Sequence, residues 1–231
     1  MLLSGRLRGP EVTALDGIDL EAGRGEALGL MGANGAGKST LLRLFAGLLV
    51  PSDGAVRVCG LDASLGGPAL ARKIGYVAAD ERGLSPYLSA REQLAWTAAL
   101  HGYRRRAALV RVGELLERMG MTSYADRALR ELSTGMRRRA ALARGLIGEP
   151  EVLLLDEPTR GVDPAGVHAL HDHLRDVLAR GCTLVIATHD REEARVLCKR
   201  VAVIDSARLI TVDEPERAVA RLVGLLGDAN G

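Results

Sequence analysis

The stretch Gly32-Ala33-Asn34-Gly35-Ala36-Gly37-Lys38-Ser39-Thr40 combines glycines with one ammonium and two hydroxyls. It fits the phosphate-binding pattern G-x-x-x-x-G-K-[ST] at Gly32, Gly37, Lys38 and Ser39. Glycines let successive backbone N–H groups turn toward phosphate oxygens with no Cβ in the way. Lys38 would neutralise the β- and γ-phosphates of a nucleoside triphosphate, and Ser39 would ligate Mg²⁺. The flanks agree. Ala27–Met31 is a short apolar run expected as a buried strand. Leu41, Leu42, Leu44 and Phe45 then recur at helical spacing and stop at Gly47. A helix starting there points its positive end at the same anion.

A second constellation is Val152-Leu-Leu-Leu-Asp156-Glu157. An apolar strand that ends in an acid places Asp156 at the carboxyl edge of a sheet, where α/β proteins bind ligands. Asp156 would hold Mg²⁺ directly or through water. Glu157 would polarise an attacking water.

The elements that must position these groups follow from the pattern of the chain. Ala55–Val58, Ile74–Val77, Val152–Leu155, Thr183–Ala187, Val201–Ile204 and Leu209–Val212 read as strands. Between about Gly83 and Ala143 no strand intervenes, and Glu92–Leu100, Ala107–Met119 and Gly135–Leu146 read as helices. Further helices are expected at Pro164–Arg180, Arg191–Lys199 and Glu214–Leu226. Asp163 is a good N-cap with Pro164 in the first helical position, and Gly181 suits a left-handed cap. The fold class is α/β, a P-loop NTPase core with an inserted helical subdomain and an antiparallel component. One domain is expected over 1–231, with a core lobe of about 1–82 and 146–231 and a helical subdomain of about 83–145.

Composition narrows the function. The 231 residues are 47% apolar and 26% charged, with 31 basic against 29 acidic side chains, so nothing calls for nucleic acid. All but three of the basic residues are arginine, which makes Lys38 conspicuous beside Lys73 and Lys199. Arg104–Arg106 and Arg137–Arg139 are read as solvated helix faces, as are His168, His171 and His173. Cys59, Cys182 and Cys198 form no C-x-x-C pair, so neither zinc nor a disulfide framework is expected, and a reducing compartment is. No apolar run is long enough to span a bilayer, and Met1–Glu11 has no secretory h-region.

Between the two constellations stands Leu132-Ser133-Thr134-Gly135-Met136, followed after Asp156-Glu157 by Pro158-Thr159-Arg160-Gly161-Val162-Asp163-Pro164. With the phosphate loop, these segments resemble the ATPases of the ATP-binding-cassette (ABC) family over about Val12 to Pro215. The resemblance implies an ATP- and Mg²⁺-dependent ATPase that drives a separate integral-membrane permease from the cytoplasmic face of the cell membrane. It also implies a second copy, as a homodimer with ATP at the interface. Ser133 and Gly135 would touch the γ-phosphate of the opposite subunit, Gly161–Pro164 would communicate across the dimer, and His189 would touch the γ-phosphate as the switch histidine. Catalytic roles thus fall on Lys38, Glu157 and His189, and metal-binding roles on Ser39 and Asp156.

Departures from the family pattern mark this chain. No aromatic precedes the phosphate loop in Ser4–Val12 to stack on adenine, where Arg6 or Arg8 offers a guanidinium plane instead. A glutamine usually follows a strand like Ile74–Val77. Here Ala78-Ala79-Asp80-Glu81 stands, and Asp80 or Glu81 is the candidate oxygen ligand. The loop Asp80–Leu84 and the signature Ser133–Met136 resemble ATPases paired with ABC-2-type export permeases for drugs, lipids or sodium. Leu84, Tyr87, Leu88 and Trp96 serve either core packing or a groove for a permease helix. Two other functions fit the resemblance: a soluble family member acting in translation or DNA repair, and a subunit that binds nucleotide without turnover. The first usually carries two cassettes or a long coiled-coil insertion, which this sequence lacks.

Overall fold

Five-residue apolar runs that lack polar alternation must be buried on both faces, and the chain meets that demand with a covered parallel sheet. The computed structural model describes residues 13–80 and 83–228. In chain order the elements are β1 (Ala27–Met31), α1 (Lys38–Phe45), β2 (Arg57–Val58), β3 (Leu61–Asp62), the single turn α2 (Pro68–Ala71), β4 (Ile74–Val77), α3 (Ala90–Leu100), α4 (Arg105–Arg118), α5 (Thr134–Leu146), β5 (Val152–Asp156), α6 (Pro164–Ala179), β6 (Thr183–Ala187), α7 (Arg191–Leu197), β7 (Arg200–Asp205), β8 (Arg208–Asp213) and α8 (Pro215–Asp228). The main sheet has the order β4-β5-β6-β1-β7-β8. Its first five strands are parallel and β8 is antiparallel.

Strand alternation divides the interior. Leu28, Leu30, Leu154, Val185 and Ile204 face α1 with its Leu41 and Leu42. Met31, Leu153, Leu155, Leu184, Ile186 and Val203 face the other way, into a layer with Leu170 and Leu174 of α6 and Ala218 of α8. That second layer continues into the helical insertion through Leu94, Val112, Leu115, Leu116 and Ala143. The insertion is pressed onto the sheet where α5 crosses β4. A Cβ added at Gly75 would lie 2.2 Å from the carbonyl oxygen of Gly145, so the crossing requires glycine.

Three local details differ from the sequence reading. The strand expected at Ala55–Val58 is only Arg57–Val58, and it pairs with β3, which went unread. The pairing depends on the turn Cys59-Gly60, whose φ values of 51° and 76° suit a type I′ hairpin. Helix α3 starts two residues earlier than expected because Ser89 and Glu92 form a reciprocal capping box. Finally, Arg137–Arg139 are not a solvated face. Arg137 donates to the Leu132 carbonyl at 2.6 Å, Arg138 to those of Ala78 and Ala79, and Arg139 to that of Met119 at 3.3 Å. Segments ending around α5 leave carbonyls without backbone partners, and guanidinium groups satisfy them.

The start of β1 is tied to β7 by a fork. Arg200 donates to both Glu26 oxygens, at 2.6 and 3.0 Å. The Arg200 hydrogen bond is the main reason that the Glu26 carboxyl is held below its ordinary range. A carboxylate depressed in the folded state adds stability that is full above its unfolded pKa and is lost as pH falls through the folded value. Glu26→Gln is therefore expected to cost about 1–2 kcal/mol at pH 7, allowing for screening at the partly exposed Arg200. Urea titrations at pH 7 and pH 3 check this, since the gap should narrow at the lower pH.

Candidate functional site

Parallel strands end in register. Asp156 pairs with Ala187, and Ala187 pairs with Leu30. The loops leaving β1, β4, β5 and β6 therefore meet at one edge. They enclose a cleft of about 690 Å³ lined by Gly32–Gly35, Gly37–Thr40, Ala79, Asp156, Glu157 and His189.

The phosphate loop has the backbone that its glycines allow. Gly37 sits at φ 109°, and a Cβ there would be 2.5 Å from Leu15. A Cβ on Gly32 would be 2.0 Å from the carbonyl oxygen of Ile204. Either substitution would force the loop to shift. Ala36 is buried beneath the loop, and its side chain does not line the cleft. Lys38 opens α1 and is 7% exposed, with Nζ donating to the carbonyls of Gly32 (2.7 Å) and Ala33 (3.0 Å). Burial lowers its pKa, against the pull of Glu157 and Asp156.

Asp156 is buried at the end of β5, and Ser39 lines the same cleft. A carboxylate and a hydroxyl are hard oxygen donors, which suits Mg²⁺. Backbone N–H groups, Lys38 and the N-terminus of α1 suit a polyphosphate. The residues present thus fit both groups.

Glu157 lies just past the strand, with its N–H bonded to the Ala187 carbonyl at 2.8 Å. Its φ of 50° is the left-handed region, which costs a non-glycine residue of order 1 kcal/mol or more. His189 leaves β6 two residues after Ala187, and its Nδ1 lies 2.6 Å from Glu157 Oε2. With Nδ1–H donating to the carboxylate, Nε2 is not used by this contact, and His189 lines the cleft.

Ser133 and Gly135 are not brought to this cleft. Ser133 is the N-cap of α5, accepting from Met136 N at 3.3 Å. A Cβ on Gly135 would meet Val162 at 3.4 Å, so the signature packs against the 161–164 loop of its own chain.

Several expectations need correction or completion. Among the described residues of this loop, Ala79 lines the cleft and Asp80 does not. Arg6, Arg8 and Glu81 lie outside the described residues. His171 is not solvated: it is buried on α6 against Glu193 of α7, because its face of α6 is covered by α7. His173 is partly buried, with its pKa lowered by burial and by Arg139. Leu84 and Leu88 are partly buried, whereas Tyr87 and Trp96 are 74% and 65% exposed. The sequence reading passed over Arg160 and Arg191, which also line the cleft. Their positions, three residues beyond Glu157 and two beyond His189, were the available signal.

The chain resembles known proteins in sequence and in fold. Residues 15–160 match the ABC transporter family. Among curated proteins, the chain is 38% identical over 214 residues to the Nod factor export ATP-binding protein I of Paraburkholderia xenovorans, covering 93% of this chain and 70% of that one. It is 39% identical over 210 residues to the protein of the same name from Burkholderia pseudomallei, covering 91% and 69%. A dimeric, post-hydrolysis ATP-binding cassette bound to ADP and Pi superposes with a TM-score of 0.82 at 28% identity, over 90% of this chain and 94% of that one. The cassette cbiO1 of Clostridium perfringens, part of an ABC transporter complex, gives a TM-score of 0.79 at 32% identity, over 91% and 86%. With its phosphate cradle and paired Glu157 and His189 at one sheet edge, the chain belongs to the ABC transporter family and is an ATP-binding subunit that hydrolyses ATP.

Proposed function

We propose that this chain powers an export permease by binding and hydrolysing MgATP between two copies of itself. The hydrogen bond between His189 and the strained Glu157, beside the phosphate cradle, carries the reading. Lys38 and the N–H groups of residues 32–40 hold the β- and γ-phosphates. Ser39 and Asp156 hold Mg²⁺, which when bound draws charge from the phosphate oxygens. Glu157 accepts a proton from the attacking water. His189, oriented through Nδ1, directs Nε2 at the γ-phosphate. Catalysis is positioning and electrostatics, as in other phosphoryl transfers.

Ser133 and Gly135 act in the opposite subunit's site. Their place at the N-terminus of a thirteen-residue helix, outside their own cleft, supports that reading. The helical subdomain of about 83–145 would move against the core lobe of about 1–82 and 146–231. Among the described residues no helix is long and apolar enough to cross a membrane. In keeping with the ABC transporter family match, we assign the transport path to a separate permease and this chain to its cytoplasmic face. The export names of the curated relatives support the direction.

Steady-state phosphate release tests the reading. Turnover that EDTA abolishes is expected, and ATP binding without turnover, with or without the permease, would oppose it. Exposed Tyr87 and neighbouring Leu84 form the proposed permease groove. Leu84→Ala with Tyr87→Ala should keep the ATPase rate within about twofold while permease co-purification falls at least tenfold, by about 1.4 kcal/mol. Normal co-purification would remove the groove.

A further inference from the structure

Glu193 is fully buried near the start of α7, and both its carboxylate oxygens lack a hydrogen-bond partner. Facing it is His171 of α6, itself buried, whose Nε2 lies 3.5 Å from Glu193 Oε1 and also lacks a hydrogen bond. Burying such a pair is costly, and apolar residues of similar size commonly serve stability as well or better. Stability alone therefore does not explain it. Nor does helix capping. Glu193 is the third residue after the N-cap Asp190, the usual place for a capping-box glutamate. Yet the Asp190 N–H is bonded to Thr188 Oγ1 at 3.0 Å, and Glu193 turns inward.

What the pair joins is informative. Helix α6 begins directly after the loop that leaves Glu157, and α7 begins directly after His189. Glu157 and His189 meet at 2.6 Å at the head of these helices, and His171 and Glu193 meet behind them. We propose that His171 and Glu193 are a positioning pair, a buried brace between α6 and α7 that sets the spacing of Glu157 and His189. The proposal deepens the reading of those two residues as the reacting pair and rests on it. Each group offers the other a polar partner in a buried interface, and that partner is lost if the helices part.

The test uses the full-length chain without nucleotide. Imidazole ¹⁵N spectra of its five histidines report the His189 hydrogen bond directly, with His189→Ala assigning the signal. In His171→Leu, the His189 signal should lose its Nδ1–H pattern and move toward that of free imidazole. In the same variant kcat should fall about tenfold with KM for MgATP changed less than about twofold, because only alignment is lost. Exchanging the partners, His171→Glu with Glu193→His, should restore both readouts. His171→Leu with Glu193→Leu should melt near the wild-type temperature yet restore neither. Should His171→Leu fail to fold, Glu193→Gln, close to isosteric, carries the same spectral expectation. An unmoved His189 signal in the folded variant overturns the brace, as does recovery of kcat in the double leucine variant. A moved signal with unchanged kcat would leave the brace standing and remove the reacting-pair reading of Glu157 and His189.

Discussion

Lys38→Ala is expected to weaken MgATP binding at least a hundredfold, a loss of about 2.7 kcal/mol or more. Among the described residues Lys38 is the one ammonium that lines the cleft, and its Nζ is pinned to the Gly32 and Ala33 carbonyls. Those bonds fix its position before any phosphate arrives, so little ordering remains to be done on binding. A charge-assisted hydrogen bond in a part-buried site is worth about 1.5–3 kcal/mol, and beyond its two carbonyl bonds Lys38 keeps one N–H for a phosphate oxygen, with its full charge beside it. The folded state should suffer much less. Burial already disfavours the Lys38 charge, so truncation removes a desolvation cost along with the two carbonyl bonds. Titration calorimetry with MgATP beside a thermal melt separates the effects. Strong binding by the variant, or a collapse of its melting temperature, would contradict this role.

Glu157→Gln is expected to lower kcat by about a thousandfold while leaving ATP affinity within a few-fold of wild type, the size of effect typical of a removed general base. A glutamine oxygen can still accept from His189 Nδ1, so the geometry of the contact survives and only the proton-accepting carboxylate goes. The strained φ of 50° is unchanged by the substitution, so stability should shift by less than about 0.5 kcal/mol. Single-turnover measurements read the chemical step directly. A variant that hydrolyses ATP within tenfold of wild type would move the base to another residue.

The parts of this protein that are local in sequence were readable from sequence. The phosphate loop carries its conformation in its own glycines, and Asp163-Pro164 announces α6 by cap chemistry alone. The runs at Ala27–Met31 and Thr183–Ala187 appear as strands with the bounds their apolarity suggested. Strand β3 escaped notice because two residues are too few to show a period, and its signal was the Cys59-Gly60 turn. The fates of Arg138 and His171 were not readable. Whether a polar side chain is solvated or buried depends on which element covers it, and α7 reaches His171 from more than twenty residues further along the chain. The register after β4 had the same difficulty. The folded loop brings Ala79 to the cleft, and of the two candidates that the spacing left, Asp80 does not line it and Glu81 lies outside the described residues.

Light scattering on the Glu157→Gln variant tests the central claim most directly. If Ser133 and Gly135 complete a site on the opposite copy, ATP that cannot be hydrolysed must hold two chains together. The variant should then run at twice the single-chain mass in MgATP and at the single-chain mass without nucleotide. A variant that binds MgATP and stays at the single-chain mass would contradict the shared site.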